Sequence, residues 1–258
     1  MQQTNGMRLE KLELSNFAQF KEKQEIEFSK DDRVTIILGD NGSGKTTLLK
    51  AMRAGLGLEK QDEEHGQPQL KCNFDPAVIN NENQFLFFND IENLINIQDI
   101  DFLKFGMDSD FSEDVRTLFL KYIHKSSYLD IIYNSGKFEM VTNDGMRYSP
   151  AATEQHLLSI CILIVLKKRL FPNSFLVLDS PFGRISGWGK KGVCHMLLEQ
   201  ISQLILLTPD YEYIDDFEYD DKKVDSVKTI INNLNLTVSE YKLVTNKDQT
   251  KIKKWKWI

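Results

Sequence analysis

Gly39-Asp40-Asn41-Gly42-Ser43-Gly44-Lys45-Thr46-Thr47 is the stretch of this sequence that decides the fold. Up to Thr46 it fits the pattern G-x-x-x-x-G-K-[ST] of a phosphate-binding loop. The glycines let the backbone wrap a chain of phosphates, because glycine adopts positive φ values without steric cost. The N–H groups of the loop and the positive end of the helix that follows should then attract an anion.

Two side chains of this loop have distinct predicted roles. Lys45 should reach the β- and γ-phosphates of a nucleoside triphosphate, and the Thr46 hydroxyl should bind Mg²⁺. We therefore expect the loop to bind a triphosphate with its metal ion. The residues predicted to contact it here are Asn41, Gly42, Ser43, Gly44, Lys45, Thr46 and Thr47.

The segments on either side of the loop suit this role. Val34-Thr-Ile-Ile-Leu38 is nearly all apolar, which is typical of a strand covered on both faces. Residues Thr46 to Ala54 place Leu48, Leu49 and Met52 at helical spacing. The sequence thus predicts a buried strand, a glycine-rich turn and an amphipathic helix, in the order that a phosphate-binding loop requires.

A second metal-binding residue follows another buried strand. Phe175-Leu-Val-Leu178 is apolar and ends at Asp179, and the end of such a strand delivers a carboxylate to the edge of the sheet. We expect Thr46 and Asp179 to hold Mg²⁺ together.

The remaining pattern predicts an α/β fold with a largely parallel sheet, because strands alternate with helices. Arg8 to Phe17 alternates as a half-buried strand. Asp210 to Asp221 is strongly acidic and is predicted to be a solvated loop. The other predicted elements are strands at 24–28 and 204–207, helices at 113–123, 154–166, 193–202 and 223–234, a hairpin around Asn134-Ser135-Gly136, and a closing hairpin of 241–245 with 251–258.

Composition limits the classes of function. The chain has 258 residues and a formal net charge of −6, whereas nucleic-acid-binding modules are usually basic. The segment Lys251 to Trp257 interleaves lysines with aromatic residues and is the best candidate for a local nucleic-acid patch, although a terminal strand with lysines facing water explains it as well. No apolar run is long enough to span a bilayer, and residues 1–9 lack the apolar core of a signal peptide, so we expect a cytoplasmic protein.

Two segments resemble the RecF/SMC-type ABC ATPases. They are Met7-Arg-Leu-Glu-Lys-Leu-Glu-Leu-Ser-Asn-Phe17 and Ile36-Ile-Leu-Gly-Asp-Asn-Gly-Ser-Gly-Lys-Thr-Thr-Leu-Leu-Lys-Ala51. The later segment Phe175-Leu-Val-Leu-Asp-Ser-Pro-Phe-Gly-Arg184-Ile is most similar to DndD, the ATPase of DNA phosphorothioation systems. The resemblance covers about residues 7 to 56 and 147 to 213.

The resemblance implies an ABC-type ATPase head that binds ATP and Mg²⁺. Such a head has a mostly parallel sheet, an N-terminal antiparallel β portion and a helical portion that carries a signature helix. Two heads sandwich two ATP molecules as a homodimer or heterodimer, and a nuclease or DNA-binding partner responds when hydrolysis opens them. We expect one head over 1–258, divided into an N-terminal lobe (1–56), a variable insert (57–148) and a C-terminal lobe (149–258).

The sequence departs from this family in three places. Ala151-Ala152-Thr153-Glu154 replaces the serine and glycine of the signature, and losing a hydrogen bond to a charged phosphate costs about 1.5–3 kcal/mol. We still expect Ala151, Thr153 and Glu154 to face the nucleotide of the other head. Ser180 replaces the usual glutamate and cannot act as a general base at neutral pH, a role worth about 10²–10⁴-fold. Ile185-Ser186 replaces Leu-Asp in the dimer-facing loop.

Two further family features have no clear counterpart. The spacing between Thr46 and Glu154 leaves no room for the long coiled coil of SMC-type proteins, so we expect a compact head without an arm. The glutamine that senses the γ-phosphate in this family is not assignable, and Gln84 and Gln98 are weak candidates.

Three functions remain open from the sequence. The first is an ATP-hydrolysing head that controls a DNA-acting partner in DNA repair or anti-phage defence, with Lys45, Asp179 and Ser180 as its catalytic positions. The second is a degenerate head that binds ATP without hydrolysing it and stabilises a larger complex, as the altered signature and Ser180 suggest. The third is a small P-loop enzyme such as a nucleotide kinase, although no arginine-rich lid is recognisable.

Overall fold

The structure is a computed structural model that describes residues 6–28, 31–59, 66–90, 109–122, 128–134, 137–183, 185, 187–214, 217–219, 222–247 and 249–255. Gln98, Arg184, Ser186, Lys256 and Trp257, which the sequence analysis singles out, lie outside these residues.

The described chain alternates strands and helices along most of its length. Its strands are β1 (Leu9–Leu14), β2 (Gln24–Glu27), β3 (Val34–Leu38), β4 (Gln69–Cys72), β5 (Phe88–Asp90), β6 (Tyr128–Asn134), β7 (Lys137–Thr142), β8 (Arg147–Tyr148), β9 (Phe175–Asp179), β10 (Gln203–Thr208), β11 (Phe217–Tyr219), β12 (Lys222–Val224), β13 (Val238–Thr245) and β14 (Thr250–Lys254). Its helices are α1 (Lys45–Gly55), α2 (Ser109–Tyr122), α3 (Ala152–Leu170), α4 (Gly187–Gln200), α5 (Asp210–Ile214) and α6 (Val227–Asn233), with short 3₁₀ turns at Pro76–Val78 and Gln84–Leu86.

A six-stranded sheet in the order β14-β13-β3-β10-β9-β5 forms the centre of the fold. Strands β13, β3, β10, β9 and β5 pair in parallel, whereas β14 pairs antiparallel with β13. Every residue of β3, β9 and β10 is buried, as their apolar sequences predict. The predicted α/β class with a mostly parallel sheet is confirmed.

The register of this sheet brings the carboxyl ends of four strands to one edge. Thr208 of β10 is opposite Leu38 of β3, and Leu207 is opposite Asp179 of β9. On the other side of β9, Asp90 of β5 is opposite Asp179. Because neighbouring strands are about 4.8 Å apart, the glycine-rich loop after β3 and the carboxylates after β9 and β5 lie along the same edge.

Smaller antiparallel sheets accompany the centre. Strands β2, β1 and β4 form one, and β6, β7 and β8 form another. In β1 the buried residues Leu9, Leu12 and Leu14 face the core, which confirms the predicted half-buried strand. The antiparallel pairing of β6 with β7 confirms the predicted hairpin, and residues 135 and 136 between the two strands lie outside the described residues. Strands β4 and β8 are not predicted from the sequence.

Helix α3 is apolar around most of its circumference and is almost wholly buried. Such a helix belongs inside the fold rather than on its surface, and α3 packs against α2 and α4. It extends beyond the predicted 154–166 at both ends, and α4 begins before the predicted 193. Among the described residues, no helix combines the length and apolar character that crossing a bilayer requires.

The prediction of a solvated loop at 210–221 is wrong. This segment contains α5 and β11, and Glu212 and Tyr213 of α5 are 3% and 1% exposed. The Tyr213 hydroxyl donates to the Glu240 carboxylate, and Lys242 forms an ion pair with Asp210, so β13 holds the segment against the sheet. Tertiary contacts to residues beyond the segment override its polar composition. In the same region β12 replaces the start of the helix predicted at 223–234.

Strands β13 and β14 form the C-terminal hairpin, in which β14 is the edge strand of the six-stranded sheet. In β14, Lys253 and Lys254 are exposed, and Lys251 pairs with Glu22 at 2.9 Å. The Lys242 ammonium lies over the Trp255 ring, 4.9 Å from its centroid. These contacts match a terminal strand with lysines that face water, and a role of this segment in nucleic-acid binding stays a prediction.

Matched valine substitutions should separate the contribution of the central sheet from that of its periphery. Val177 is 0% exposed and lies between β10 and β5, whereas Val244 at the end of β13 is 37% exposed. Val177→Ala should lower the free energy of unfolding by about 2 kcal/mol, because it removes buried methyl groups and leaves a cavity. Val244→Ala should change it by less than about 0.5 kcal/mol. Urea denaturation measures both values, and equal losses would contradict the assigned core.

Candidate nucleotide-binding site

The loop between β3 and α1 has the backbone conformation that its glycines permit. Gly42 and Gly44 have φ values of 80° and 103°, in the left-handed region that disfavours other residues. A Cβ atom on Gly44 would come within 2.3 Å of the Gln19 Nε2 atom, so a side chain here would displace the Gln19 amide. Because Gly44 at the N-cap has no side chain, it cannot cap the first N–H groups of α1.

Lys45 is folded into the loop at the first position of α1. Its ammonium group donates to the carbonyl oxygen of Gly39 at 2.6 Å and to that of Asp40 at 3.0 Å. Burial lowers the pKa of Lys45, and the nearby negative charges of Asp179 and Asp40 oppose this shift. The loop thus holds a buried positive charge, which a phosphate would stabilise further.

Thr46 and Asp179 converge as predicted, although α1 and β9 are far apart in the sequence. The Thr46 hydroxyl donates to Asp179 Oδ2 at 2.6 Å, and the Ser180 hydroxyl donates to Asp179 Oδ1 at 3.0 Å. A hydroxyl and a carboxylate oxygen in contact provide two hard oxygen ligands, the type that Mg²⁺ prefers. These residues therefore fit the metal ion, which would neutralise phosphate charge when bound.

A cavity of about 570 Å³ opens in front of this loop. Ten residues line it: Gln19, Asn41, Gly42, Gly44, Lys45, Thr46, Thr47, Asp90, Asp179 and Ser180. The cavity lining thus includes every residue predicted from the loop except Ser43. It also includes Asp179, the last residue of β9, and Ser180, which follows it. Ser43 is 5% exposed, and its carbonyl oxygen accepts from the Thr250 hydroxyl at 3.2 Å, so it faces the C-terminal hairpin.

The sequence analysis missed Gln19 and Asp90. Gln19 belongs to the turn between β1 and β2, where no motif marks it. Asp90 ends β5, a strand of only three residues that gives too short an apolar pattern to recognise. The signal that could have found Asp90 is an acidic residue one position beyond the apolar run that ends at Phe88, by analogy with Asp179 at the end of its own apolar run.

Ala151, Thr153 and Glu154 are absent from the lining of this cavity. Glu154 is 8% exposed; its carboxylate accepts from the backbone N–H of Ala151 at 2.9 Å and from the Tyr148 hydroxyl at 3.1 Å. It therefore caps the start of α3, which Ala151 cannot do with its methyl side chain. A contact of these residues with the nucleotide of a second head stays a prediction.

The start of α3 is nevertheless linked to the site through the loop after β9. His156 of α3 is 0% exposed, and its Nε2 atom lies 2.8 Å from the carbonyl oxygen of Pro181. Pro181 follows Ser180, whose hydroxyl contacts Asp179. The start of α3 and the Asp179 carboxylate are thus connected by consecutive contacts.

A buried carboxylate lies behind the loop. The Glu212 side chain of α5 accepts from the Thr208 hydroxyl at 3.2 Å, and the Thr208 carbonyl accepts from the Gly39 N–H at 3.2 Å. Burial raises the pKa of Glu212, while the positive charges of Lys190 and Lys45 oppose the shift. Glu212 therefore supports the back of the loop that holds Lys45.

The candidate glutamine Gln84 lies away from the cavity. Its Oε1 atom accepts from Arg53 Nη2 at 2.8 Å, and Gln84 is absent from the cavity lining. This position therefore joins α1 to the 3₁₀ turn before β5.

Comparison with known proteins assigns the family. Residues 11–256 match the sequence profile of the family described as AAA domain. The chain belongs to this AAA domain family. No curated protein sequence matches it.

Three of the solved structures similar to this AAA domain are heads of SMC proteins. The SMC head domain from Thermotoga maritima aligns with a TM-score of 0.60 and 14% identity, over 97% of this chain and 100% of that chain. An SmcHead bound to the C-winged helix domain of ScpA gives 0.58 and 17%, over 96% and 97%. An Smc head with an extended coiled coil, bound to the C-terminal domain of ScpA and derived from Pyrococcus furiosus, gives 0.59 and 13%, over 96% of each chain.

These similarities establish the fold of an SMC-head P-loop ATPase, in agreement with the resemblance to RecF/SMC-type ATPases. Such a fold implies nucleotide binding, usually with Mg²⁺, and the cavity residues fit both. At these identities the alignments show the fold alone, and a specific similarity to DndD stays a prediction.

Removal of the Thr46 hydroxyl should abolish the contribution of the metal to nucleotide binding. In Thr46→Val the shape of the side chain is kept, but one oxygen ligand is lost. Titration of a fluorescent ATP analogue should show that Mg²⁺ strengthens binding to the wild type at least tenfold more than binding to the variant, whereas both bind equally in EDTA. A variant that keeps the full effect of Mg²⁺ would contradict the assignment of Thr46 as a ligand.

Proposed function

We propose that this protein is an ATP-binding and ATP-hydrolysing head of the SMC/RecF type. The observation that carries this proposal is the convergence of Lys45, Thr46 and Asp179 on one cavity beside the glycine-rich loop. Lys45 would bind the β- and γ-phosphates, and Thr46 with Asp179 would hold the metal ion that neutralises them.

Dimerisation around ATP is the second part of the proposal. Ala151 to Glu154 are absent from the lining of the cavity in their own chain, which favours contact with a nucleotide bound to another head. The side chain of Glu154 caps the start of α3, so its contact with a second head would require this cap to rearrange. Either a homodimer or a heterodimer with a head of more conventional signature would satisfy the geometry.

A DNA-acting partner is the third part. Two of the similar SMC heads are bound to domains of ScpA, which shows that heads of this fold bind other proteins. The resemblance of the segment from Phe175 to Ile185 to DndD supports a nuclease or DNA-binding partner in DNA repair or anti-phage defence. The net charge of −6 favours contact with DNA through such a partner rather than directly.

We extend the proposal to the organisation of the chain. It would be a single head of three parts, 1–56, 57–148 and 149–258, that acts in the cytoplasm without a coiled-coil arm.

A non-hydrolysing head is the alternative that a specific observation favours. Ser180 donates its hydroxyl to Asp179 and offers no carboxylate to activate water. In that case ATP would stabilise a complex without turnover. A nucleotide kinase, the third possibility, gains no support from the cavity residues, which include no arginine among the ten.

ATP hydrolysis by two lysine variants distinguishes an ATP-hydrolysing head from a head that only binds ATP. Lys45→Ala should reduce ATP hydrolysis to the background, because it removes the only lysine among the ten cavity residues. Lys50→Ala should hydrolyse ATP like the wild type, since Lys50 is exposed on the same helix and is absent from the cavity. Phosphate release is measured with the chain alone and with candidate partners. Tight ATP binding without turnover under every condition would replace the proposal with the alternative.

Light scattering tests the dimer. With Mg²⁺ and a non-hydrolysable ATP analogue, the mass should shift from monomer to dimer, whereas ADP should leave the monomer predominant. Gly183→Arg should suppress the dimer while the variant still binds the analogue, because Gly183 is exposed beside the loop after β9 and is absent from the cavity. One unchanged mass in the presence and absence of the analogue would rule out a homodimer.

A further inference from the structure

Gln19 is presented to the cavity by a rigid turn. Phe17 and Phe20 pair through two backbone hydrogen bonds, at 3.0 and 2.9 Å, and Phe20 is 0% exposed. Asn16 and Ala18 have positive φ values of 51° and 47°, which cost energy in residues other than glycine. Such strain persists where surrounding contacts impose it, and it is common at ligand-binding sites.

The C-terminal hairpin imposes this conformation. The carbonyl oxygen of Gln19 accepts from the backbone N–H of Thr250 at 2.9 Å. Thr250 is 0% exposed, and its hydroxyl donates to the carbonyl of Ser43 in the phosphate-binding loop at 3.2 Å. Thr250 therefore fixes the position of Gln19 relative to the loop.

The side-chain amide of Gln19 is also oriented. Its Oε1 atom accepts from the Thr47 hydroxyl at 3.2 Å, which directs the Nε2 group over Gly44. Within the described part of the chain, Nε2 has no protein acceptor at hydrogen-bonding distance. The amide thus presents a fixed donor to the cavity, at a point where Gly44 has no side chain to cover it.

The position of Gln19 on the site indicates which end of a nucleotide it would meet. Successive residues of a helix are about 100° apart around its axis, so Thr46 and Thr47 point to different flanks of α1. Thr46 faces Asp179 on the metal side, where the β- and γ-phosphates belong. Thr47 faces Gln19, which therefore lies on the flank toward the α-phosphate and the ribose.

We propose that Gln19 is a nucleotide-contacting residue whose side-chain amide donates a hydrogen bond to the α-phosphate of the bound nucleotide. The inference rests on the proposed ATP binding. It adds a contact outside the glycine-rich motif, and it makes the turn after β1 and the C-terminal hairpin part of the nucleotide site.

Two substitutions of similar size test whether the Gln19 amide donates a hydrogen bond to the nucleotide or only accepts one from the Thr47 hydroxyl. Gln19→Met removes the donor and should weaken binding of both ATP and ADP about tenfold, the effect of one hydrogen bond to a charged group. Gln19→Glu keeps an acceptor for Thr47 but replaces the donor with a negative oxygen, so it should weaken binding more than Gln19→Met. Gln200→Met is the control, because the Gln200 amide donates to the Tyr122 hydroxyl, away from both the cavity and the C-terminal hairpin.

Isothermal titration with ATP and with ADP, each with Mg²⁺, measures the three variants and the wild type. The control should bind like the wild type. Wild-type affinity in both Gln19 variants would overturn the inference, as would a loss confined to ATP, since that would place Gln19 at the terminal phosphate. A wild type that binds neither nucleotide would instead refute the proposed function. If Gln19→Met fails to fold, Gln19→Glu decides alone: a loss of binding to both nucleotides supports the inference, and unchanged binding overturns it.

Discussion

The hydrogen bond from Thr46 to Asp179 depends on the whole central sheet. Its two residues belong to α1 and β9, and β10 lies between β9 and the strand that leads into α1. Only a parallel arrangement with matched register places the ends of all three strands at one edge. A shift of β9 by one residue would turn the Asp179 side chain to the opposite face of the sheet, away from Thr46.

The sequence alone predicted the parts of the fold and of the site that depend on local pattern. The strand Val34–Leu38, the glycine-rich loop and the strand ending at Asp179 each have a composition that few other structures tolerate. Lys45, Thr46 and Asp179 could therefore be assigned before the structure was known. By contrast, Gln19 and Asp90 reach the cavity through long-range pairing, of β14 with the turn after β1 and of β5 with β9, which no local pattern reveals. The same reason explains α5, because Asp210 pairs with Lys242 of β13 and Glu212 accepts from Thr208 of β10.

The site is well equipped for binding and less clearly for hydrolysis. Two glycines with positive φ, a buried lysine and paired oxygen ligands surround one cavity. The residue after Asp179 is a serine that supports the carboxylate instead of activating water. Within the cavity, Asp90 is the other carboxylate beside Asp179. The link from Asp179 through Pro181 to His156 gives a path by which events at the phosphates could move the signature-like end of α3.

A crystal structure with Mg²⁺ and a non-hydrolysable ATP analogue tests the central claim most directly. The account predicts the triphosphate inside the loop from Gly39 to Thr47, with Mg²⁺ about 2.1 Å from the Thr46 hydroxyl and Asp179 beside it, bonded to the ion directly or through water. A nucleotide bound elsewhere on the chain, or a metal ion without contact to Thr46 and Asp179, would contradict it.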